Sequence, residues 1–535
     1  MSLPTQLGSL YDGVARTWSD YFAMATLRPP TNKPILCGYV STIDRYIHVT
    51  ESLITQMVTE VGASVEQLWQ TINTEGELNE QMGENTDCSK VQTLSLSKSI
   101  DTREQLIKLL LFSVKNNVGG KVRIRNNDIV NWLADLFEHF GSRESLGGAP
   151  GIMMDTLVNL CGEKNAVIFT VFHSPKQATL YSRDIRFLVI DGNGRLTSKS
   201  AEQFHRPNDP EVRNYPLEFF LGEPVFRKAK TNCVVQAEEA ERLICTTTYL
   251  YYQEDNSIDE AEVETNPIEI NRIFQFPGLT DVQRNENVIQ IGKQYKHIIL
   301  SGLQSVPEGK RAAFSQELEM LSRLGVTIHV EVSTPRNLHW LEELIPDYIS
   351  SLGINEDELP LICTELLDDE LDRRCDYSSL WEVYEDALAL ANKLKLNRLY
   401  IHTHTADLIL RRSPTNNTVL ETEIEADLYA KHIVTQSIKK SSVDLSGPDI
   451  GLKQEGLEAF INFMAQIARR GGQQIQQLNQ VQNQLDQGHF VAGDYAVVVV
   501  PVAWFLGSLP QSLIVTGAGD RTSAVSFIQS GFQRV

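Results

Sequence analysis

The chain has 535 residues, with 48 Lys+Arg against 69 Asp+Glu, a formal net charge of −21 and a pI near 5.0. Such an acidic balance excludes a whole-surface grip on nucleic acid, which needs a basic face, and leaves room only for a local basic pocket that takes a small phosphorylated ligand. Apolar residues at 42% and charged residues at 22% exclude a disordered, collagenous or disulfide-scaffold chain and provide for a large core.

Seven cysteines are scattered along the chain with no CxxC pair, several of them in apolar runs. That usage fits reduced, buried thiols in a cytoplasmic protein. The opening MSLPTQLGSLYDG has neither a basic n-region nor an apolar h-region, so no signal peptide is expected. The most apolar stretch, AVVVVPVAWFLGSL (496–509), is 14 residues long and broken by Pro501. It is too short to span a bilayer and reads as a buried strand leading into a loop. Neither a membrane nor a nucleic acid is expected as a partner.

In chain order, the first strand candidate is ILCGYV (35–40), followed by Thr42 and Asp44. Asp44 at a strand end is a good bidentate acceptor for two sugar hydroxyls, or simply a turn residue. SLGGAPGIMMDTLVNL (145–160) places Gly147 and Gly148 before a helix, where the backbone admits a hydroxyl at close range or merely turns. AVIFTVF (166–172) is the next strand. From about 173 to 290 the pattern changes to short period-2 runs, FLVI (187–190), TTTYLYYQ (246–253) and IFQF (273–276), with many turn residues. This segment reads as an antiparallel lobe inserted in the core, and YQEDNSIDEAEVETNP (252–267) as a solvated loop or hairpin.

Strand–helix alternation then resumes: strands HIILSGL (297–303), VTIHVEV (326–332), RLYIHTH (398–404), YAVVVV (495–500) and SLIVTG (512–517), with helices at 311–325, 378–394 and 455–470. Most of these strands are apolar on both faces, as strands of a covered parallel sheet must be. The alternation predicts an α/β fold with a mostly parallel sheet. The Gln-rich segment 471–488 keeps apolar residues at helical spacing and reads as a surface helix. No repeat of 20–50 residues is visible. Walker A, zinc-ligand spacing and Cys–His nucleophile patterns are absent, and Ser301 has no nucleophile elbow around it.

The strongest chemical signal is SLIVTGAGDRTSAVSFIQSGF (512–532). An apolar strand runs into Gly517-Ala518-Gly519-Asp520, and a small-residue helix follows. Glycines let backbone amides approach a phosphate, and a helix N-terminus adds its positive end. Asp520 at that mouth is placed to take a proton from an attacking hydroxyl; on these residues alone, a Gly-rich turn with Asp520 as an N-cap is the other reading. Glu331 in His329-Val330-Glu331 ends a strand, and Glu358 follows a turn at Gly353 and then Asn355. Two carboxylates there suit Mg2+ held through waters; a solvated acid and a core histidine are the plain readings of Glu358 and His329.

These segments together resemble the ADP-dependent glucokinases and phosphofructokinases of the ribokinase-like sugar kinases. CGYVSTID (37–44) is similar to the family's first core strand and its closing Asp, and SLGGAPG (145–151) to its Gly-Gly segment. HIILSGLQ (297–304) is similar to its next core strand. His329 and Glu331 match its His-x-Glu motif, and Asn355 and Glu358 match its Asn-x-x-Glu motif. LYIHTHT (399–405) resembles the strand that follows, and 517–520 its GAGD. The resemblance covers roughly residues 35–532.

It implies a large ribokinase-like domain (1–45, 126–172 and 291–535) and a smaller β-rich lid (46–125 and 173–290). It also implies Mg2+-dependent transfer of a phosphoryl group from ADP to a sugar or sugar phosphate. By that resemblance Asp520 is the base. Gly517, Ala518, Gly519 and Arg521 form the anion cradle for the nucleotide. Glu331 and Glu358, supported by His329 and Asn355, organise the metal. Thr42, Asp44, Gly147, Gly148 and Arg123 bind the sugar.

Three departures are visible. Thr42 stands where the family has Asn. Lys121, Arg123 and Arg125 stand where its glucokinases have a lid Glu, which favours fructose 6-phosphate over glucose. Arg521 follows GAGD where Thr is usual, so that it either aids phosphate binding or ties up Asp520 in an ion pair. Thr42 and Arg521 keep a second expectation open, a catalytically impaired sugar or nucleotide sensor on the same scaffold.

Overall fold

The computed structural model describes the chain apart from residues 1–2, 39–40, 72–92, 117–118, 125, 172, 205, 208, 210, 212, 220–223, 229–232, 237–240, 247–272, 275, 277–278, 304–305, 307, 333–337, 357, 368–376, 378, 413–415, 442–449, 471–484, 506–517 and 533–535. The expected strand 512–517, the acidic segment 252–267 and most of the Gln-rich segment lie outside the described residues.

The larger of two main sheets has 11 strands. In spatial order they are 489–492, 495–501, 406–412, 398–402, 351–355, 327–331, 297–301, 35–38, 166–168, 186–190 and 196–200. From 398–402 to 186–190 all neighbours are parallel, and antiparallel strands close both edges. The parallel strands are mostly apolar because helices cover them; Ile298, Ile328, Leu352 and Leu399 are all buried. The helices expected around 311–325, 378–394 and 455–470 are Glu308–Arg323, Leu380–Leu394 and Gln454–Arg470. Leu3–Ala25 is a helix that the sequence reading missed; its Trp18 packs on Phe460 and donates to the Leu485 carbonyl at 3.0 Å.

The smaller sheet has six strands in the order 93–100, 119–124, 241–246, 213–219, 42–48 and 143–147. Its pairings are mixed: 213–219 and 241–246, from the segment expected to be antiparallel, pair antiparallel with each other, but parallel with 42–48 and 119–124 from outside it. One face is packed under the helices Glu51–Glu60, Arg103–Asn116 and Asn127–His139, which form its own core with Ile47, Val122, Leu217 and Cys245.

The expected division of the chain needs correcting in three places. Asp44 does not close the first core strand: that strand ends at Gly38, and Asp44 belongs to the strand Thr42–His48 of the smaller sheet. Residues 127–147 build the smaller sheet and its helical layer. The hairpin 186–200 pairs with 166–168 in the larger sheet. Phe187, Leu188 and Val189 are consecutive and all buried, which marks a strand covered on both faces.

Candidate active site

From Ile35–Gly38 the chain goes to one neighbour, Ala166–Ile168, and later returns on the other side at His297–Ser301. This reversal of direction opens a crevice at the carboxyl ends of the parallel strands, where ligands of open α/β sheets gather. The C-terminal helix Ala518–Gln529 enters there with Asp520 in its first turn. Gly517 lies outside the described residues, while Ala518, Gly519 and Asp520 are half-buried. A Cβ on Gly519 would lie 1.9 Å from Nε2 of His402, the last residue of the strand Arg398–His402. His402 is a site residue that the sequence reading missed; its only signal was a histidine closing a strand. Burial holds its imidazole down at about 4, so it is neutral, and its Nδ1 is buried with no hydrogen-bond partner.

His329 and Glu331 point to the same side of their strand and meet the same helix. Arg398 donates to Ser351 Oγ at 3.3 Å, so the Ser351 hydroxyl is free to donate to His329 Nδ1 at 2.9 Å. That leaves the His329 proton on Nε2, which lies 2.8 Å from Glu331 Oε1 and 3.0 Å from Ser523 Oγ. A bonded line thus runs from Arg398 to the Glu331 carboxyl and the helix that carries Asp520. Gly353 is not a turn residue, as the sequence suggested. It sits within the strand Ser351–Asn355, and a Cβ there would lie 2.1 Å from Glu331 Oε1. Burial pushes Glu331 up to about 8 and, with the Arg398 charge nearby, holds His329 well below its ordinary range.

Asn355 and Glu358 bond reciprocally across the start of the helix Glu358–Leu366. Asn355 Oδ1 accepts from the Glu358 amide at 2.7 Å, and Glu358 Oε2 accepts from the Asn355 amide at 3.1 Å. This is a capping box, and Asn-x-x-Glu before an apolar run is its sequence signature.

The other face of the smaller sheet carries Thr42 and Asp44, two of the expected sugar residues. Thr42 Oγ1 and Asn214 Nδ2 donate to Asp44 Oδ1 at 2.9 and 2.7 Å, and the Tyr46 hydroxyl donates to Oδ2 at 3.2 Å. Gly147 is strand-paired with Thr42, and a Cβ on it would fall 2.0 Å from Asp44 Oδ1. The space left by that glycine is therefore taken by Asp44 itself. Gly148, at φ 74°, turns the chain into the helix Ala149–Asn159. Backbone register aligns Ser145, Asp44, Asn214, Thr246 and Arg123 in one row across five strands. The side chains of Lys121 and Arg123, and all of Arg125, lie outside what is described.

The region described as the ADP-specific phosphofructokinase/glucokinase conserved region matches residues 33–249 and 282–529. The chain belongs to that family. It is 23% identical over 446 residues to an ADP-specific phosphofructokinase of Pyrococcus horikoshii, covering 81% of this chain and 88% of that one. It is 21% identical over 444 residues to an ADP-dependent glucose/glucosamine kinase of Pyrococcus abyssi, covering 81% and 85%. Among solved structures, an ADP-dependent kinase in complex with fructose-6-phosphate and ADPβS superposes with a TM-score of 0.67 at 18% identity over 97% of each chain. The last common ancestor of ADP-dependent phosphofructokinases from Methanosarcinales superposes at 0.62 and 19% over 98% of each. The fold is the ribokinase-like α/β fold of these kinases.

Against the pattern of this family, the two departures in the described residues have local answers. The amide missing at Thr42 is present next door, since Asn214 Nδ2 also donates to Thr42 Oγ1 at 3.1 Å. Asn214 lies 170 residues from Asp44, and no sequence neighbour marks it. Arg521 donates to Ser437 Oγ at 3.0 Å on the helix Asn417–Ser441, and the acid that bears on its charge most is Asp155 of the helix Ala149–Asn159, ahead of Tyr46 and Asp520. Arg521 is therefore turned toward a three-helix junction. The Tyr46 hydroxyl, which donates to Asp44, also bears on the Arg521 charge.

The family implies Mg2+, and the two expected ligands fit it unequally. Glu331 is 1% exposed, bonded to His329 and Ser523 and protonated near neutral pH, so it does not fit as a direct ligand. Half-buried Glu358, at the start of the helix after the neighbouring strand, fits a contact through water, the usual protein share of a hydrated Mg2+. Among the described residues no group of three His, Cys, Asp or Glu is arranged to hold a metal ion.

Proposed function

We propose that the protein transfers the β-phosphoryl group of ADP to a hydroxyl of a sugar or sugar phosphate, with fructose 6-phosphate favoured over glucose. The observation that carries this reading is the placement of Asp520 in the first turn of a helix at the strand-end crevice, beside the polar face that holds Asp44.

Asp520 takes the proton of the acceptor hydroxyl as its oxygen bonds to phosphorus. The bond from that phosphorus to the bridging oxygen breaks, and AMP leaves. Ala518 and Gly519, with Gly517 before them, put backbone amides and the helix N-terminus against the charge that spreads over the transferring phosphoryl oxygens. Half-buried Arg521 adds a positive charge to the same end of the helix. Glu358 would hold a hydrated Mg2+, whose chemistry is to neutralise diphosphate charge. Asp44, Thr42, Gly147 and Gly148 orient the sugar.

The preference for fructose 6-phosphate rests on the cations of the strand Gly119–Ile124, with Arg123 in the same cross-strand row as Asp44. It is supported by the relatives that are phosphofructokinases and by the neighbour that holds fructose-6-phosphate. Among the described residues no helix is long and apolar enough to cross a membrane. We place the enzyme in the cytoplasm, where its nucleotide and sugar-phosphate substrates are found.

A coupled assay of ADP and ATP against glucose, fructose 6-phosphate and other sugars tests the reading. ADP should outperform ATP, and fructose 6-phosphate should give the highest kcat/KM. ATP superior for every accepted sugar would sink the donor assignment, and glucose bound more tightly than every sugar phosphate would sink the acceptor. Nucleotide binding without turnover under any pair would favour the sensor.

A further inference from the structure

Asp44 is held by donors on both oxygens. Thr42 and Asn214 supply two to Oδ1, and Tyr46 supplies one to Oδ2. An ionised carboxylate can only accept, so the atom of the Asn214 amide that faces it must be the nitrogen. This fixes the orientation of the amide and turns Oδ1 elsewhere. Asn214 is only 7% exposed, yet its Oδ1 is buried without a hydrogen-bond partner. An unsatisfied buried carbonyl oxygen is unfavourable in a finished structure and marks a place where a donor belongs.

The ligand that fits is specified by what is missing. Asn214 Oδ1 is an acceptor with no donor, and Asp44, with about four lone-pair positions and three donors, keeps room for one more. Asp44 and Asn214 are neighbours in register on parallel strands, with Asn214 Nδ2 2.7 Å from Asp44 Oδ1, so their open acceptors lie side by side. That suits two hydroxyls of one small polyol. A phosphoryl group is excluded, because it would bring oxygens that accept to atoms that accept.

Resting on the kinase reading above, we infer that Asn214 is a sugar-recognition residue: its Oδ1 accepts a hydrogen bond from one hydroxyl at the unphosphorylated end of the acceptor, while its Nδ2 holds Asp44 in place to accept from a second. Thr42 has a hydroxyl only, which it spends on Asp44, so Asn214 carries the amide that its own strand lacks. A sugar phosphate therefore enters with its phosphate turned away from this pair.

The test uses the full-length protein with ADP and fructose 6-phosphate. Asn214→Ala should raise the KM for the sugar 10- to 100-fold and leave the KM for ADP within twofold. Thr42→Asn combined with Asn214→Ala returns an amide to the site from the other strand and should recover at least threefold of the loss. Calorimetric titration of ADP into Asn214→Ala, with an unchanged Kd, shows that the variant is folded. An unchanged sugar KM, a parallel rise in both KM values, or no recovery in the double variant overturns the inference. If the wild type binds ADP but turns over no sugar, the kinase reading fails separately. Titration of fructose 6-phosphate into wild type and Asn214→Ala then decides: at least tenfold weaker binding by the variant supports the inference, and equal binding, or none to either, overturns it.

Discussion

The imidazole of His402 occupies the place that a side chain on Gly519 would take, with Nε2 1.9 Å from the position of such a Cβ. Gly519 is thus required by a ring as well as by any phosphate its amide approaches. Gly519→Ala must displace either the helix entry or a ring buried at a strand end. A shift of about 1 Å in a catalytic group costs roughly 100-fold in rate, so kcat/KM should fall by about that factor. His402→Ala in the same chain removes the obstruction and should restore part of the loss. A Gly519→Ala variant with wild-type kcat/KM shows that the cradle tolerates the shift.

The α/β class and most strands were legible because covered parallel strands must be apolar on both faces, and helices between them keep a 3.6-residue period. The hairpin 186–200 was misplaced because turn residues surround it, although three consecutive apolar residues, Phe187 to Val189, already marked burial on both faces. The helix that carries Asp520 was legible because a run of small residues follows the glycines in the chain. Asn214 and His402 were not, since each acquires its role from register or packing with a residue more than 100 positions away. The Asn355–Glu358 spacing serves as a helix cap in the structure, a purpose that the metal reading had overshadowed.

The pair Glu331 and His329 should give stability a dependence on pH with a definite sign. Glu331 is raised from 4.5 to about 8, so its carboxyl stays protonated in the fold where the unfolded chain ionises. Its contribution is full below about 4.5 and is lost as pH rises through 8. His329 is lowered from 6.5, so its contribution is present above that value and lost as pH falls. The two slopes oppose one another between 4.5 and 6.5, and only that of Glu331 remains from 6.5 to 8. Glu331→Gln keeps the shape and removes the titration. Its Tm relative to wild type should therefore climb from pH 6.5 to 8, and a difference that does not change with pH would show that Glu331 is ionised throughout.

Arg521→Thr separates two roles for the residue after GAGD. Arg521 is bonded to Ser437 and faces Asp155 more strongly than Asp520. Removing it should not raise kcat, as it would if Arg521 masked the base. Asp155, which burial already raises and the Arg521 charge lowers, loses its compensating cation. The protein should lose up to about 1 kcal/mol, the scale of a partly exposed ion pair, because Asp155 keeps Asn159 as a donor. Asp155→Asn should remove most of that penalty when combined with Arg521→Thr. Denaturant melts of the four chains give the coupling, and a kcat above wild type in Arg521→Thr would restore the ion pair with Asp520 as the better account.

Asp520→Asn is the most direct test of the base. The substitution keeps the size and the helix start while removing basicity. General-base catalysis is worth about 10²–10⁴-fold, so kcat should fall by that factor with the best donor and sugar. The Kd values for ADP and sugar should change little, because ground-state binding rests on the glycine cradle, on Asp44 with its three donors and on the cations of the smaller sheet. Single-turnover measurement distinguishes this from slow product release: the burst rate should drop together with the steady-state rate. If kcat is unchanged, Asp520 is only a first-turn carboxylate that stabilises its helix, and the proton leaves by another route.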